Sequence, residues 1–376
     1  MRVFLILVLL AVCCSAKVDM KKYRKALKKT GVLKKLYKEK FGDDMTSEKL
    51  ANFKEALQFV VGNNDNPDIG WVSDVNFFAP ESKEKRDDIL LRPEAGTGFD
   101  YSGMTFPLGS NEKDSVDWVA DGYVREVRDQ TTDCRACWAF AALVSLEGRY
   151  QILTNSAVEF SVQELIDCVY WADGRDQDGC YGGTYNDVYK FIQKFGHLAE
   201  EGTASYKSEA GSCEYNDVTN GLVTAHLDST TPYTAVDYQD QTIIDTLLEG
   251  PITTAVHTTE AFLFYSSGVF RDDSCDTLIP NHAVGLVGYD QSSFRVKNSW
   301  GTHWGDGGYM SVARGHHGCG IVFYGVVPNL VEGAPTTETI AQRSACSDKW
   351  EPSFCAQYLA YCAYYKDYCA ASCGVC

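Results

Sequence analysis

The chain has 376 residues and carries 51 Asp and Glu against 34 Lys and Arg, a formal net charge of −17. That excess of acid argues against a nucleic-acid partner, which needs basic surface to meet phosphate. Hydrophobic residues make up 45% of the chain, enough for folded domains rather than a disordered polymer, and 15 cysteines favour an oxidising compartment.

Residues 1–16 combine Arg2, an apolar run from Val3 to Val12 and the small residues Ser15 and Ala16. This is a signal peptide pattern; the run is short for a membrane span, and no other apolar run is long enough to cross a bilayer. Residues 17–112 follow as a separate unit. From Lys17 to Ala56 there are thirteen basic residues and six acidic ones. Residues 46–61 have helical spacing, with Leu50, Phe53, Leu57, Val60 and Val61 on one face. A basic segment on an acidic chain is expected to dock by charge complementarity, weakening as acid protonates carboxylates. Taken alone, the same pattern also fits a solvated basic helix.

Residues 113–330 change character halfway. Cys137 to Leu153 is apolar at most positions and reads as a buried helix. Helices are also expected at Ser161–Asp167 and Tyr185–Phe195, then strands at Pro251–Val256, Asn281–Tyr289, Ser293–Lys297 and Gly308–Ala313. Helices followed by strands predict an α+β enzyme of two lobes with a cleft between them. Gln130 lies shortly before Cys137, and His282 and Asn298 follow Cys137 by 145 and 161 residues. A thiol at a helix start, an imidazole, an amide to orient it and a second amide donor are the parts of a cysteine hydrolase.

With Cys137-Trp138, Asn281-His282-Ala283 and Asn298-Ser-Trp300-Gly in this order, the chain resembles the papain family of cysteine peptidases, in its cathepsin L-like branch. The resemblance implies a papain-like fold with a helical lobe and a β-barrel-like lobe, preceded by a helical inhibitory propeptide. It casts Cys137 as nucleophile, paired as thiolate with a His282 imidazolium, Asn298 as the group that orients the ring, and Gln130 as an oxyanion donor. Gly182 and Gly183 resemble the backbone platform for an extended substrate. Thr184, Tyr185, Ala283 and Tyr324 fall where the family builds the pocket for the second residue before the cut, and Trp300 belongs to the same substrate-binding set. A phenol at Tyr324, with no acid beside it, implies small or medium apolar residues over Arg. The acidic insertion between Cys168 and Cys180 lacks His, unlike the occluding loop of dipeptide-removing relatives, so an endopeptidase is expected.

Three departures stand out. Arg135 replaces the usual Gly between the paired cysteines, crowding the pocket for the residue before the cut and adding charge beside the thiol. Gln130 is one residue farther from the nucleophile than is usual. In the propeptide, Lys49, Phe53, Val60 and Asn64 follow the family's interspersed helix motif while Met45 and Ala56 depart from it, and Asn76-Phe77-Phe78 partly matches a second motif.

Setting aside Cys13 and Cys14 in the leader and Cys137 as nucleophile leaves twelve cysteines. The resemblance implies the pairs Cys134–Cys180, Cys168–Cys213 and Cys275–Cys319. Residues 331–345 read as a linker, and residues 346–376 hold the remaining six. Their spacing resembles the ShK toxin-like (ShKT) domain, whose pairing would be Cys346–Cys376, Cys355–Cys369 and Cys362–Cys373. A zinc site is the other reading of that cluster, though an oxidising compartment favours disulfides. The Lys-Tyr pair of channel-blocking members is not reproduced at Lys366-Asp367, so docking to a substrate or extracellular surface is the expected use of the tail, with a purely structural role as the alternative. No cofactor, metal or membrane span is expected; the partners are protein and peptide substrates and the chain's own propeptide, with a monomer as the working unit. The destination is extracellular, lysosomal or vacuolar. The alternative is a weakly active or inactive scaffold acting through its tail.

Overall fold

The computed structural model describes residues 18–91, 109, 113–172, 179–213, 222–237, 239–275 and 279–331. The expected leader, the expected ShKT cysteines and nearly all of the expected linker lie outside the described residues.

Three helices open the chain: α1 (Met20–Lys28), α2 (Thr30–Phe41) and α3 (Ser47–Asp65). Side chains start two of them, Asp19 accepting the Lys22 N–H at 2.9 Å and Thr46 Oγ1 accepting the Lys49 N–H at 3.1 Å. In α3 Phe53, Leu57 and Val60 are buried as expected, but Leu50 and Val61 are only half-buried. At 100° per residue these two fall on one flank, and the buried stripe turns instead toward Ala56 and Asn63. Asn64, at the end of this motif, grips the next strand β1 (Trp71–Ser73): its side chain accepts the Ser73 N–H and donates to the Ser73 carbonyl, both at 2.8 Å. A short helix α4 (Lys83–Asp88) follows.

The helical lobe is α5 (Cys137–Thr154), α6 (Val162–Ala172) and α7 (Tyr185–Phe195). Every residue of α5 from Cys137 to Gly148 is buried, as a sequence apolar at most positions predicts. The helix ends where Asn155 turns left-handed, φ +55°. Around it Trp138, Leu143, Phe160, Leu165 and Tyr189 form one core. The second lobe is a mixed sheet. It contains β2 (Val116–Asp117), β5 (Tyr233–Ala235), β6 (Ile252–Val256), β7 (Tyr265–Phe270), β8 (His282–Tyr289), β9 (Ser293–Lys297), β10 (Tyr309–Ala313) and β11 (Val326–Pro328). The order is β1-β7-β10-β9-β8-β6-β11-β5, with β2 also pairing β8. A separate antiparallel pair, β3 (His197–Ala199) and β4 (Leu222–Thr224), stands apart from this sheet. Strand β8 is buried along its whole length and packs on α5, so the first residues of α5 and β8 meet between the lobes.

The N-terminal segment is part of this sheet. Strand β1 adds antiparallel to the β7 edge with Trp71 opposite Gly268, a pairing that uses backbone groups an edge would leave open. Gly268 has φ +88°, and a Cβ there would stand 2.9 Å from the Gly70 carbonyl oxygen, so only glycine permits the approach. Phe53, Leu57, Val60, Trp71 and Phe78 share one apolar core with Phe262, Phe264 and Trp300 of the sheet lobe. Phe78 meets Trp300 edge-on at 4.9 Å, and Asn76 Nδ2 donates to the Leu263 carbonyl at 2.7 Å.

This corrects the expectation of docking by complementary charge. Lys22, Arg24, Lys38 and Lys49 pair with Glu39, Asp65, Asp43 and Asp44 inside the N-terminal segment itself. Local acids are nearer than the distant surface, and apolar burial carries the contact. Across the boundary, ion pairs among the described residues are Arg86–Glu260 at 3.7 Å and Asp88–Arg135 at 2.7 Å. Three disulfides, Cys134–Cys180, Cys168–Cys213 and Cys275–Cys319, have the pairing expected above, and Cys137 is free.

Candidate active site

Cys137 is the first residue of α5, and its N-cap, Ala136, offers no side-chain hydrogen bond. The first backbone N–H groups of the helix therefore point at the thiol end without a capping side chain. Ala283, one residue into β8, packs on Cys137 and Ala141. His282, just before it, is fully buried and its Nε2 is 2.7 Å from Asn298 Oδ1, so the ring donates there. Its Nδ1 is buried without a hydrogen-bond partner. Trp300 stacks on the imidazole at 4.4 Å and holds the ring from one side. Trp300 is 1% exposed with Phe78 of the N-terminal segment lying edge-on to it.

Gln130 keeps its position despite the extra residue before the nucleophile. Thr131 absorbs that residue by turning left-handed, φ +61°, while the Gln130 N–H donates to Ser299 O at 2.8 Å. Ser299 Oγ donates to Gln130 Oε1 at 2.7 Å, which aims Nε2 away toward the cleft. There Nε2 lies 3.3 Å from the Ile89 carbonyl oxygen and 3.4 Å from that of Cys134. An amide donor whose other end is fixed in this way is what a developing oxyanion requires.

The N-terminal segment fills the cleft. The Leu91 N–H donates to the Asn281 carbonyl at 2.7 Å, and the Leu91 side chain packs, as does Tyr185, against the cluster of Cys137, Ala141 and Ala283. Gly182 lies beside it: φ is +113° and a Cβ would sit 3.3 Å from Leu91 Cδ2. Gly183 has no room at all, since a Cβ would stand 2.6 Å from the Trp138 ring. Thr184 caps α7, accepting the Asp187 N–H at 3.2 Å, and Tyr185 donates its hydroxyl to the Tyr324 carbonyl at 2.8 Å. The structure thus brings together Cys137, His282, Asn298 and Gln130, and sets Gly182 and Ala283 beside Leu91, with Tyr185 on the same cluster and bonded to the Tyr324 carbonyl.

Burial governs the protonation of the pair. It pushes the Cys137 thiol up to about 12, against smaller opposing effects from the backbone of Ala283, Trp138 and Cys137 itself. It also lowers the His282 imidazole to about 4, with the Asn298 hydrogen bond opposing. With the cleft filled, burial disfavours the charged form of both groups, whereas the sequence predicts a thiolate–imidazolium pair. Leu91 packed beside Cys137 and the Trp300 and Phe262 rings packed on His282 keep water from the pair, and a desolvated ion pair loses more hydration than it gains.

Sequence reasoning missed Ile89, Leu91 and Asp88, which carry no periodic or motif signal, and the Ser299 hydroxyl that aims Gln130. A second cluster, Asp273, His316 and His317, sets its ligand atoms within 4.8 Å of one another. Its groups are engaged within the protein: His316 with Asp273 at 2.7 Å, Asp273 with Arg271, and the His317 Nδ1 with the Cys319 N–H.

Residues 113–328 match the family described as Papain family cysteine protease. Cysteine proteinase EP-B 1 of Hordeum vulgare is 33% identical over 282 residues, covering 71% of this chain and 73% of that protein. Cathepsin L-like proteinase of Fasciola hepatica is 30% identical over 309 residues, covering 78% of this chain and 91% of that one. Among solved structures, the Amb a 11 cysteine protease of ragweed pollen in its proform superposes with a TM-score of 0.65 at 26% identity, over 82% of this chain and 98% of that one. The match to a proform runs through the N-terminal helices as well as the two lobes, so the protein is made as a proenzyme with its own propeptide. The chain belongs to the papain family of cysteine proteases, with relatives of the cathepsin L and S kind.

Proposed function

We propose that the mature enzyme is an endopeptidase of the secretory pathway that cuts after a pair of residues whose first member is apolar. Cys137 Sγ attacks the scissile carbonyl, and His282 Nδ1 takes and returns the proton while Asn298 holds Nε2. Gln130 Nε2 and the Cys137 N–H receive the oxyanion. The observation that carries this reading is the 2.7 Å bond from His282 Nε2 to Asn298 Oδ1, which leaves Nδ1 alone to serve Cys137. Leu91 supports the apolar preference, because its side chain packs on Ala283 in the same small apolar cluster that Tyr185 joins.

Removal of the propeptide re-admits water, and the proton of Cys137 then passes to His282. Residues 17–112 are the inhibitory part and residues 113–330 the enzyme. A cleaved leader at residues 1–16 and three disulfides fit passage through an oxidising compartment toward the outside of the cell or a lysosome or vacuole. The six-cysteine tail at 346–376 acts as a small stapled module that docks the enzyme on a protein or extracellular surface. The enzyme works as a monomer.

The test is hydrolysis of dipeptide substrates with Val, Leu, Phe or Arg at the second position before the cut, using acid-processed protein. Val, Leu or Phe should exceed Arg by about tenfold, the effect of placing a charge in an apolar pocket. Equal rates on Arg and Leu would refute the pocket assignment.

A further inference from the structure

We propose that Arg135 makes this enzyme select an acidic side chain on the residue immediately before the scissile bond. The inference rests on the peptidase reading above and adds its substrate class. Arg135 sits between Cys134, tied to Cys180, and the nucleophile Cys137. Its N–H donates to the Cys180 carbonyl at 3.1 Å and its guanidinium lies over the Tyr181 ring, 5.7 Å from the centroid. The loop and the ring together fix where the charge stands. The side chain is 11% exposed with the cleft filled, so the guanidinium is held at the cleft rather than spread into solvent.

The cleft segment shows what such a cation accepts. Arg135 Nη2 donates to Asp88 Oδ1 at 2.7 Å. The next residue, Ile89, places its carbonyl on Gln130 Nε2, and Leu91 fills the apolar pocket. A carboxylate on Arg135, a carbonyl at the oxyanion donor and an apolar side chain by Ala283 are thus held at three neighbouring points. In a substrate, the carbonyl at Gln130 belongs to the residue before the cut, and the apolar pocket takes the residue preceding that one. Arg135 flanks the donor, so it faces the side chain of the residue being cut.

Processing removes Asp88 and leaves the guanidinium without that partner. Asp88 is its ion-pair partner among the described residues, and Arg135 Nε is buried with no hydrogen bond at all. A glutamate or aspartate delivered by a substrate can use Nη2 and Nε together, a two-point contact that Asp88 makes only in part. The competing account is that Arg135 merely narrows the pocket, which would favour Gly or Ala and give no advantage to charge.

The experiment uses mature enzyme and peptides with Leu at the second position and Glu, Gln, Ala or Arg at the first, at about pH 6, where glutamate and arginine are both charged. Glu and Gln differ in charge at equal size. We expect kcat/KM for Glu to exceed that for Gln by about ten- to a hundredfold, the range of a charge-assisted pair. In R135G the Glu-to-Gln ratio should fall to about one, and in R135E the order should reverse in favour of Arg. Ratios taken within one variant cancel any loss of folding or overall turnover. Wild-type ratios of Glu to Gln within about twofold, or a preference that persists in R135G, would overturn the proposal while leaving the peptidase reading intact. Failure of processed wild type to cut any peptide would remove both.

Discussion

Burial of the dyad beside Leu91 sets a quantitative expectation for the reactivity of Cys137 in the intact zymogen. With the thiol pushed up to about 12, the thiolate fraction near pH 8 is roughly 10⁻⁴, against about a quarter for an ordinary thiol of pKa about 8.5. A more basic thiolate is intrinsically more nucleophilic, and a Brønsted slope of about 0.4–0.5 returns roughly one and a half of the decades lost. The net result is reaction about 10²-fold slower than an exposed cysteine, before any steric shielding. Cys137 is the free thiol among the described residues, so labelling by a small uncharged disulfide reagent, mapped by mass spectrometry, reads this one group. In the intact zymogen the rate should climb about tenfold per pH unit beyond pH 10 without a shoulder, as expected for a raised pKa. After processing, the same thiol should react rapidly with an acidic midpoint. A rate plateau across neutral pH in the intact zymogen would mean a thiolate–imidazolium pair already formed under the propeptide, and would refute the argument from burial.

Two further substitutions probe the segment and the site. Phe78 is 1% exposed against Trp300, so F78A should forfeit about 3–5 kcal/mol shared between folding and docking. The zymogen should then activate spontaneously near neutral pH, measured as a shortened lag in substrate hydrolysis; an unchanged lag would contradict the shared apolar core. N298A removes the acceptor that orients His282, and should lower kcat by about 10²-fold with a smaller change in KM. Steady-state kinetics on the processed variant check this, and an unaltered kcat would mean Trp300 stacking alone positions the ring.

The lobes were legible where one interaction dominates. Helix α5 is apolar at most positions, so its burial follows largely from composition, and the strand through His282 is a nearly continuous apolar run buried on both faces, whereas the strand through Phe294 alternates apolar with polar residues. The dyad and its amide were legible because chemistry restricts which residue types serve there. What the sequence hid is the behaviour of residues 88–91: no periodicity marks the turn that ends α4 and carries Ile89 and Leu91 into the cleft. The charge argument failed for a related reason, since composition counts charges but does not say which partner is nearest. Lys49 meets Asp44, five residues away, rather than a carboxylate of the enzyme. The stripe on α3 was misread by one position because Ala56 and Asn63 carry weak hydrophobic signals yet lie on the buried flank.

The most direct test of the account is hydrolysis of a Leu-containing dipeptide substrate by wild type and C137A, each processed by an added protease that is then removed. The account predicts thiol-dependent turnover in the wild type and a fall of at least about 10⁴-fold in C137A, since covalent attack has no substitute in the site. Hydrolysis by C137A within about tenfold of wild type would contradict the assignment of Cys137 as the nucleophile, whatever else the cleft contains.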